Sequence, residues 1–269
     1  MGKNTYMRLG SKEINSLSKL MAIHPRRDFL NTVFQSGLAV GLSRFALLAP
    51  LSVLTHGLQG FGNIPNKLPD NKSIFELRGT VLVDGEKANE DTFIKANALV
   101  ETKSNSYVIF KVGKDAHILR ENSKMQLQGS NAVEAGLNLL TGKILSVFGE
   151  RGQTKKHTLR TSTATIGIRG TGVYAESYED SSYLCTCYGQ TIIEANEDLG
   201  KADKQFEEIT SSHHDAPRFI LKKPEDNKLI IPAPVFNHTD EELILIEAIV
   251  GRESPISAIQ SYSSPRRGY

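Results

Sequence analysis

The side chains able to do chemistry in this 269-residue chain gather in two short stretches. Tyr183-Leu184-Cys185-Thr186-Cys187-Tyr188-Gly189 holds both cysteines, and Ser211-Ser212-His213-His214-Asp215-Ala216-Pro217-Arg218 holds two histidines beside a carboxylate. The first stretch reads as a strand, whose side chains alternate between faces, so Cys185 and Cys187 share one face. Their Cα atoms then lie about 6.5–7 Å apart, at or beyond the limit for a disulfide, and an internal bridge would be strained. The second stretch reads as a loop that Pro217 terminates. Cys185, Cys187, His213, His214 and Asp215 together make a candidate ligand set for zinc or a similar transition metal. Cys-x-Cys is not the Cys-x-x-Cys turn that brings both sulfurs onto one ion. Two other readings therefore stay open: buried cysteines acting as small hydrophobes, and a surface histidine pair with no ligand role. No other cofactor is expected.

Other constellations are scarce. There is no Gly-x-Ser-x-Gly and no His-Glu-x-x-His, and no pair of carboxylates is placed by a recognisable motif. Ser211, Ser212 and His213 are adjacent, but the members of a hydrolase triad meet in space, not in sequence. No residue is read as catalytic, and the chain is expected not to be an enzyme.

The elements that must position these groups follow from composition and patterning. A chain of this length buries a real core, and two cysteines exclude a disulfide-rich secreted scaffold. A formal net charge of +2 excludes a nucleic-acid binder working by bulk electrostatics. That balance has two parts. Residues 1–60 carry seven Lys/Arg against two Asp/Glu, a net of +5, which leaves −3 for the rest.

The basic part reads as an export signal over residues 1–60. Arg26-Arg27-Asp28-Phe29-Leu30 precedes a moderately apolar stretch from Val33 to Leu54, the layout of a targeting segment. Arg26, Arg27, Phe29 and Leu30 resemble the twin-arginine signal, which is read as an address. The longest unbroken apolar run, Phe45 to Leu54, is well short of the roughly 20 residues that span a bilayer. No clear small-x-small cleavage site stands before Gly62, so the segment can remain as a membrane attachment. An amphipathic helix packed on the domain is the alternative. The expected partner here is the export machinery, and the expected location is the bacterial periplasm or the periplasmic face of the inner membrane. Residues 61–72, with Pro65 and Pro69, read as a linker.

From 73 to 198 the pattern is short β-prone runs with turn residues about every ten positions, which predicts an all-β sandwich, barrel or solenoid. Glu76 to Val83 alternates and runs into an Asp84-Gly85 tight turn. Further strands are expected at Ala98–Thr102, Tyr107–Val112, His117–Arg120 and Met125–Gln128. Leu137–Phe148 is expected to hold two more around Thr141-Gly142. Phe110 and Phe148 read as core. The most distinctive block is Thr161 to Val173. Gly167, Gly170 and Gly172 lack the spacing of a dinucleotide or phosphate loop, so a bulge or tight turn that redirects the chain is expected there.

Four blocks in order resemble the FecR-domain family. They are Leu77 to Gly85; Leu99 to Thr102 with Ser106 to Phe110; Asn122 to Leu127; and Thr163-Ala164-Thr165-Ile166-Gly167-Ile168-Arg169-Gly170-Thr171. Residues Thr163, Ala164, Thr165, Gly167, Arg169, Gly170 and Thr171 are the specific ones. The resemblance covers about residues 75–195. It implies an extracytoplasmic β-rich domain, a twisted β-sandwich or short solenoid, of the kind found in inner-membrane transducers that relay siderophore-receptor occupancy to a sigma factor. Only 25 residues precede Arg26, so the resemblance implies a stand-alone exported domain that binds or scaffolds an envelope protein or polymer. It supplies no ligand assignment for the cysteines and histidines.

Residues 199–252 read as a C-terminal extension. Phe219–Leu221 and Leu229–Ile231 are expected as short strands. Thr239-Asp240-Glu241-Glu242 has the spacing of a capping box. Leu243, Ile246, Ile249 and Val250 then form one helical face that Gly251 ends. Such a stripe is expected to pack on the β-domain, with docking to a partner as the alternative. Residues 253–269 read as a flexible tail.

Overall fold

The computed structural model describes residues 64–130, 133–150, 157–196 and 205–256. The twin-arginine residues Arg26, Arg27, Phe29 and Leu30 and the whole leader lie outside them.

Among the described residues, fourteen strands and one helix follow in chain order: β1 Ile74–Arg78, β2 Val81–Val83, β3 Glu86–Lys87, β4 Leu99–Thr102, β5 Tyr107–Val112, β6 Asp115–Leu119, β7 Lys124–Ser130, β8 Val133–Val147, β9 His157–Arg160, β10 Ala164–Ser177, β11 Ser181–Ala195, β12 Phe206–Ser211, β13 Arg218–Glu225, β14 Lys228–Pro232 and α1 Asp240–Ile249. The strands form one hydrogen-bonded sheet that does not close into a barrel, in the order β14-β13-β11-β10-β9-β8-β7-β4-β2-β3. β12 pairs with β11, β6 pairs with β8, and β5 lies between β6 and β1. All the pairings are antiparallel except β8 with β9. The all-β class is as the sequence pattern predicts.

Two expected boundaries are corrected. Glu76 to Val83 is two strands, because Gly79 takes φ +75° and its Cα faces Ser106 too closely for any side chain. Thr141-Gly142 does not end a strand. β8 runs on through it, and Gly142, at φ +92°, marks the change of neighbours. Up to Thr141 the strand pairs with β7, and from Gly142 it pairs with β10, joined by β6 from Ile144. The expected bulge in the distinctive block is present. β10 pairs with β9 through Ile168, shifts register between Arg169 and Gly172, and pairs with β8 from Gly172 onward.

Alternation along β10 and β11 gives the sheet two unlike faces. Val173, Ala175 and Leu184 belong to the main apolar cluster, with Phe110, Ile144, Phe148 and Ile166. The opposite face carries Tyr174, Glu176, Tyr183, Cys185 and Cys187, all buried. The extension covers this face. Residues 206–232 add β12, β13 and β14 to the sheet, and α1 packs against β6 and β8. The capping box is formed as expected, with Thr239 accepting from the Glu242 N–H and Glu242 accepting from the Thr239 N–H. Glu242 also takes both charge-assisted bonds of Arg120, at 2.9 and 3.0 Å. Leu243, Ile246 and Ile249 are fully buried, and Gly251 sits at φ +79° just past the helix. Ser254 and Ile256, in the segment read as a flexible tail, are buried too.

Gly142→Ala is expected to lower stability by about 2 kcal/mol or more, because an added Cβ would sit 2.5 Å from the Ser123 Cα at a backbone angle L-residues rarely adopt. Gly167→Ala is the control. Its nearest contact would be 3.8 Å away, so urea unfolding should show a change within about 0.5 kcal/mol. Equal effects would refute this account of the two glycines.

Candidate metal centre

The strand period puts Cys185 and Cys187 on one face of β11, as expected, and both are free thiols buried to 0% exposure. β11 runs on through Gly189 to Ala195, and the chain returns as β12, which pairs with residues 189–194 and leads into the 211–217 loop. His214 is brought to the thiols by its own backbone. It adopts φ +55°, an uncommon conformation for a side chain of its size, and its N–H donates to the Cys187 carbonyl at 2.9 Å.

A third histidine completes the group. His238 lies two residues before α1. Its ring stacks on Tyr174 at 4.6 Å and 13°, and Tyr174 stands directly opposite Cys185 in the register. The sulfurs of Cys185 and Cys187 and one nitrogen each of His214 and His238 all lie within 4.8 Å of one another.

Hydrogen-bond chemistry fixes which way each ring faces. His238 Nδ1 sits 2.7 Å from the Phe236 carbonyl, which can only accept, so Nδ1 carries the proton and Nε2 presents a lone pair. His214 Nε2 sits 3.0 Å from an Asp240 carboxylate oxygen, so by the same logic its Nδ1 presents the lone pair. Those two lone-pair nitrogens are 3.0 Å apart, and His214 Nδ1 is 3.3 Å from the Cys185 sulfur. Opposed lone pairs repel unless a proton or a cation lies among them. In a tetrahedral zinc site the bond lengths place ligand atoms about 3.3–3.8 Å apart, close to the spacings found. The Asp240–His214 contact is also the carboxylate–histidine pairing that orients metal-bound imidazoles.

A proton held between His214 Nδ1 and the Cys185 sulfur relieves the same repulsion. The Cys185 thiol is drawn down to about 4, first by the hydrogen bond from Cys187 and then by His214 and His238, against its burial. Burial raises the Cys187 thiol, and the neighbouring Cys185 charge adds to this. Burial works against charge on His214 as well, but Cys185 and Asp240 outweigh it and raise its pKa.

The other two residues of the sequence-derived set stand elsewhere. His213 lies outside the thiol group and contacts Asp240 at 3.0 Å. Asp215 turns back into its own loop, where its carboxylate accepts from the Ser212 N–H at 2.7 Å and from the Ser211 and Ser212 hydroxyls. Side-chain hydrogen bonding within a short loop is what Ser-rich turns before an aspartate do, so Asp215 shapes the loop and is not a ligand of the thiol cluster. The two residues sequence reasoning missed are His238 and Asp240. Their signal was position: Asp240 belongs to the Thr239–Glu242 motif, read there only as a cap, and His238 stands immediately before it.

Of the distinctive block, Thr163 is buried and bonds Ser182 and the Ile220 carbonyl. Thr171 bonds the Arg169 and Gln190 carbonyls, and Arg169 and Gly170 are exposed. These residues shape the sheet and do not touch the thiol–imidazole cluster.

No family model and no curated protein matches the chain. Among solved structures it is similar to a putative anti-sigma factor from Parabacteroides distasonis ATCC 8503, in crystal structures at 1.65 and 2.50 Å resolution. Each gives a TM-score of 0.40 at 9% identity over 50% of this chain. The match spans 58% of that protein's chain.

Asp215→Ala is expected to cost about 1 kcal/mol in urea unfolding at neutral pH, less than the roughly 1.5–3 kcal/mol of a charge-assisted hydrogen bond because the carboxylate is exposed and screened by solvent. Its backbone and hydroxyl donors hold the Asp215 carboxyl below the usual value of 3.8. The contribution is therefore whole above that value and is lost as pH falls through the lowered one. A variant as stable as the parent at pH 7 would show that the loop does not depend on this carboxylate.

Proposed function

We propose that this protein is a non-catalytic β-domain protein that binds one divalent transition-metal ion of the zinc class through Cys185, Cys187, His214 and His238. The observation that carries the reading is the convergence of two thiol sulfurs and two imidazole lone pairs within 4.8 Å in the buried layer beneath the C-terminal segment. Charge balance favours a divalent ion. Two thiolates and two neutral imidazoles neutralise a 2+ charge, whereas a monovalent ion would leave one buried negative charge uncompensated.

Four protein ligands fill a tetrahedral shell. Catalytic zinc sites keep one position for water or substrate, so the role read here is structural. The ligands come from β11, the 211–217 loop and the residues leading into α1. The ion would thus fasten the C-terminal segment to the sheet, and its binding free energy would become folding free energy.

The resemblance of residues 75–195 to the FecR-domain family supports the wider setting of this reading, an exported domain that recognises or scaffolds a protein or polymer at the cell envelope. The Arg26-Arg27 leader supports the twin-arginine route, by which a protein can fold around its ion before export.

Two measurements test these readings. Elemental analysis of untagged protein should give one equivalent of zinc-class metal per chain, lost in Cys185→Ala/Cys187→Ala and in His238→Ala and retained in Asp215→Ala. Chelation should lower Tm. Metal-free parent protein that refuses added zinc would refute the centre. Separately, Arg26→Lys/Arg27→Lys should retain the protein in the cytoplasm of an exporting bacterium. Unchanged periplasmic yield would refute the export route.

A further inference from the structure

A closed site needs a route by which an ion reaches it. Cys185 and Cys187 are 0% exposed and His238 is 6% exposed. From that centre, side-chain exposure rises in one direction, from His214 at 11% to Asp240 at 21% and His213 at 42%. His213 Nε2 and His214 Nε2 each lie 3.0 Å from a different oxygen of the one Asp240 carboxylate. His213, His214 and Asp240 offer three ligand atoms within 4.8 Å of one another, a second set that shares His214 with the first.

We propose that His213 and Asp240 form an outer capture site, where a divalent transition-metal ion first binds before passing by way of His214 to Cys185, Cys187 and His238. This rests on the inner-site reading above. Three features of the geometry support it.

The first is ligand character. The outer set offers imidazole and carboxylate, and the inner set offers thiolate and imidazole, which hold zinc-class ions more strongly. An ion captured outside therefore moves downhill as it goes in. The second is the bridging residue. His214 directs Nε2 outward to Asp240 and Nδ1 inward to Cys185 and His238, so one imidazole faces both sets, its single proton standing on Nδ1 while Nε2 faces the captured ion and on Nε2 once Nδ1 holds it. The third is hydration. A hydrated ion sheds its waters more easily in steps, trading some at a half-open site before losing the rest in a buried one. The adjoining His213 and His214 rings, 5.0 Å apart at centroid, leave the exposed imidazole at the mouth of that path.

A purely structural role for His213, orienting Asp240 and through it His214, makes a different prediction, which metal exchange separates. Full-length, zinc-loaded protein is mixed with Cd²⁺, and exchange is followed by the ultraviolet thiolate-to-cadmium absorption. Affinity is measured in parallel by competition with a chelator. The exchange rate should rise with Cd²⁺ concentration. His213→Ala and His213→Gln should each lower that concentration-dependent rate by about tenfold or more, the low end of what local concentration of an ion at a charged cleft supplies. Affinity, final absorption and the Tm of the zinc-loaded form should stay unchanged. A rate independent of Cd²⁺, or one that neither substitution alters, would overturn the capture site. So would a fall in affinity with faster release and unchanged loading, which would make His213 a positioning residue only. Absence of any thiolate-to-cadmium absorption in the parent would instead overturn the inner centre itself.

Discussion

Two buried thiols and two imidazole lone pairs aimed at one point repel one another unless positive charge sits among them, and the surroundings of this point hold them there. His238 is clamped by stacking on Tyr174 and by its bond to the Phe236 carbonyl. His214 is held in a left-handed backbone conformation by its N–H bond to Cys187 and by Asp240 on its outer nitrogen. Neither ring can turn away without breaking a hydrogen bond in a buried setting, where an unmade bond costs about 1–3 kcal/mol.

The sheet face that carries the cluster is unlike the one behind it. Behind lies the main apolar cluster, with a buried His117–Ser146 hydrogen bond of 2.9 Å on the same face. In front lies a layer in which polar side chains pair across to the C-terminal segment. Arg120 bonds Glu242, Asn237 bonds Glu176 at 2.8 Å, Tyr183 donates to the Pro234 carbonyl, and Tyr188 bonds Glu247. Such bonds specify one arrangement and, net of desolvation, stabilise only modestly. The apolar anchors Leu243, Ile246 and Ile249 supply attraction with little direction. An ion joining β11 to the residues before α1 would supply both. The helix start is suited to that neighbourhood: its capping box is complete, and Asp240 serves the first turn and His214 at once.

How much of this was legible in the sequence depended on range. Elements set by local chemistry read well. The Asp84-Gly85 turn has both residues at positive φ, the Thr239–Glu242 cap formed as spaced, and the period of a strand was enough to put both cysteines on one face. Features set by neighbours did not read. Gly142 has the local signature of a turn, yet it lies inside β8, because its left-handed angle accommodates a change of partner strands that only the folded sheet defines. The candidate site divided the same way. Cys185, Cys187 and His214 were within reach of a spacing argument. His238, 24 residues beyond His214 in sequence, required knowing that the extension folds back over β11. Asp215 was drawn in by adjacency, and its loop hydrogen bonds take its carboxylate elsewhere.

The glycine-rich block ties the sheet to the cluster without touching it. At the register shift between Arg169 and Gly172, β10 leaves β9 and takes β8 as its neighbour. Residues 172–177 therefore run between β8 and β11, and the register sets Tyr174 opposite Cys185 and Glu176 opposite Tyr183. Gly172 has no side chain where the Tyr188 ring passes; a Cβ there would meet the ring at 2.5 Å. Tyr188 can then reach Glu247 on α1, and Tyr174 can offer its ring to His238. Without the shift, alternation would carry Tyr174 to the other face of the sheet, and His238 would lose the surface it stacks on. The residues that resemble a family motif thus act on the thiol–imidazole cluster through strand register, which explains how a block that contributes no member to the cluster can govern where its members meet.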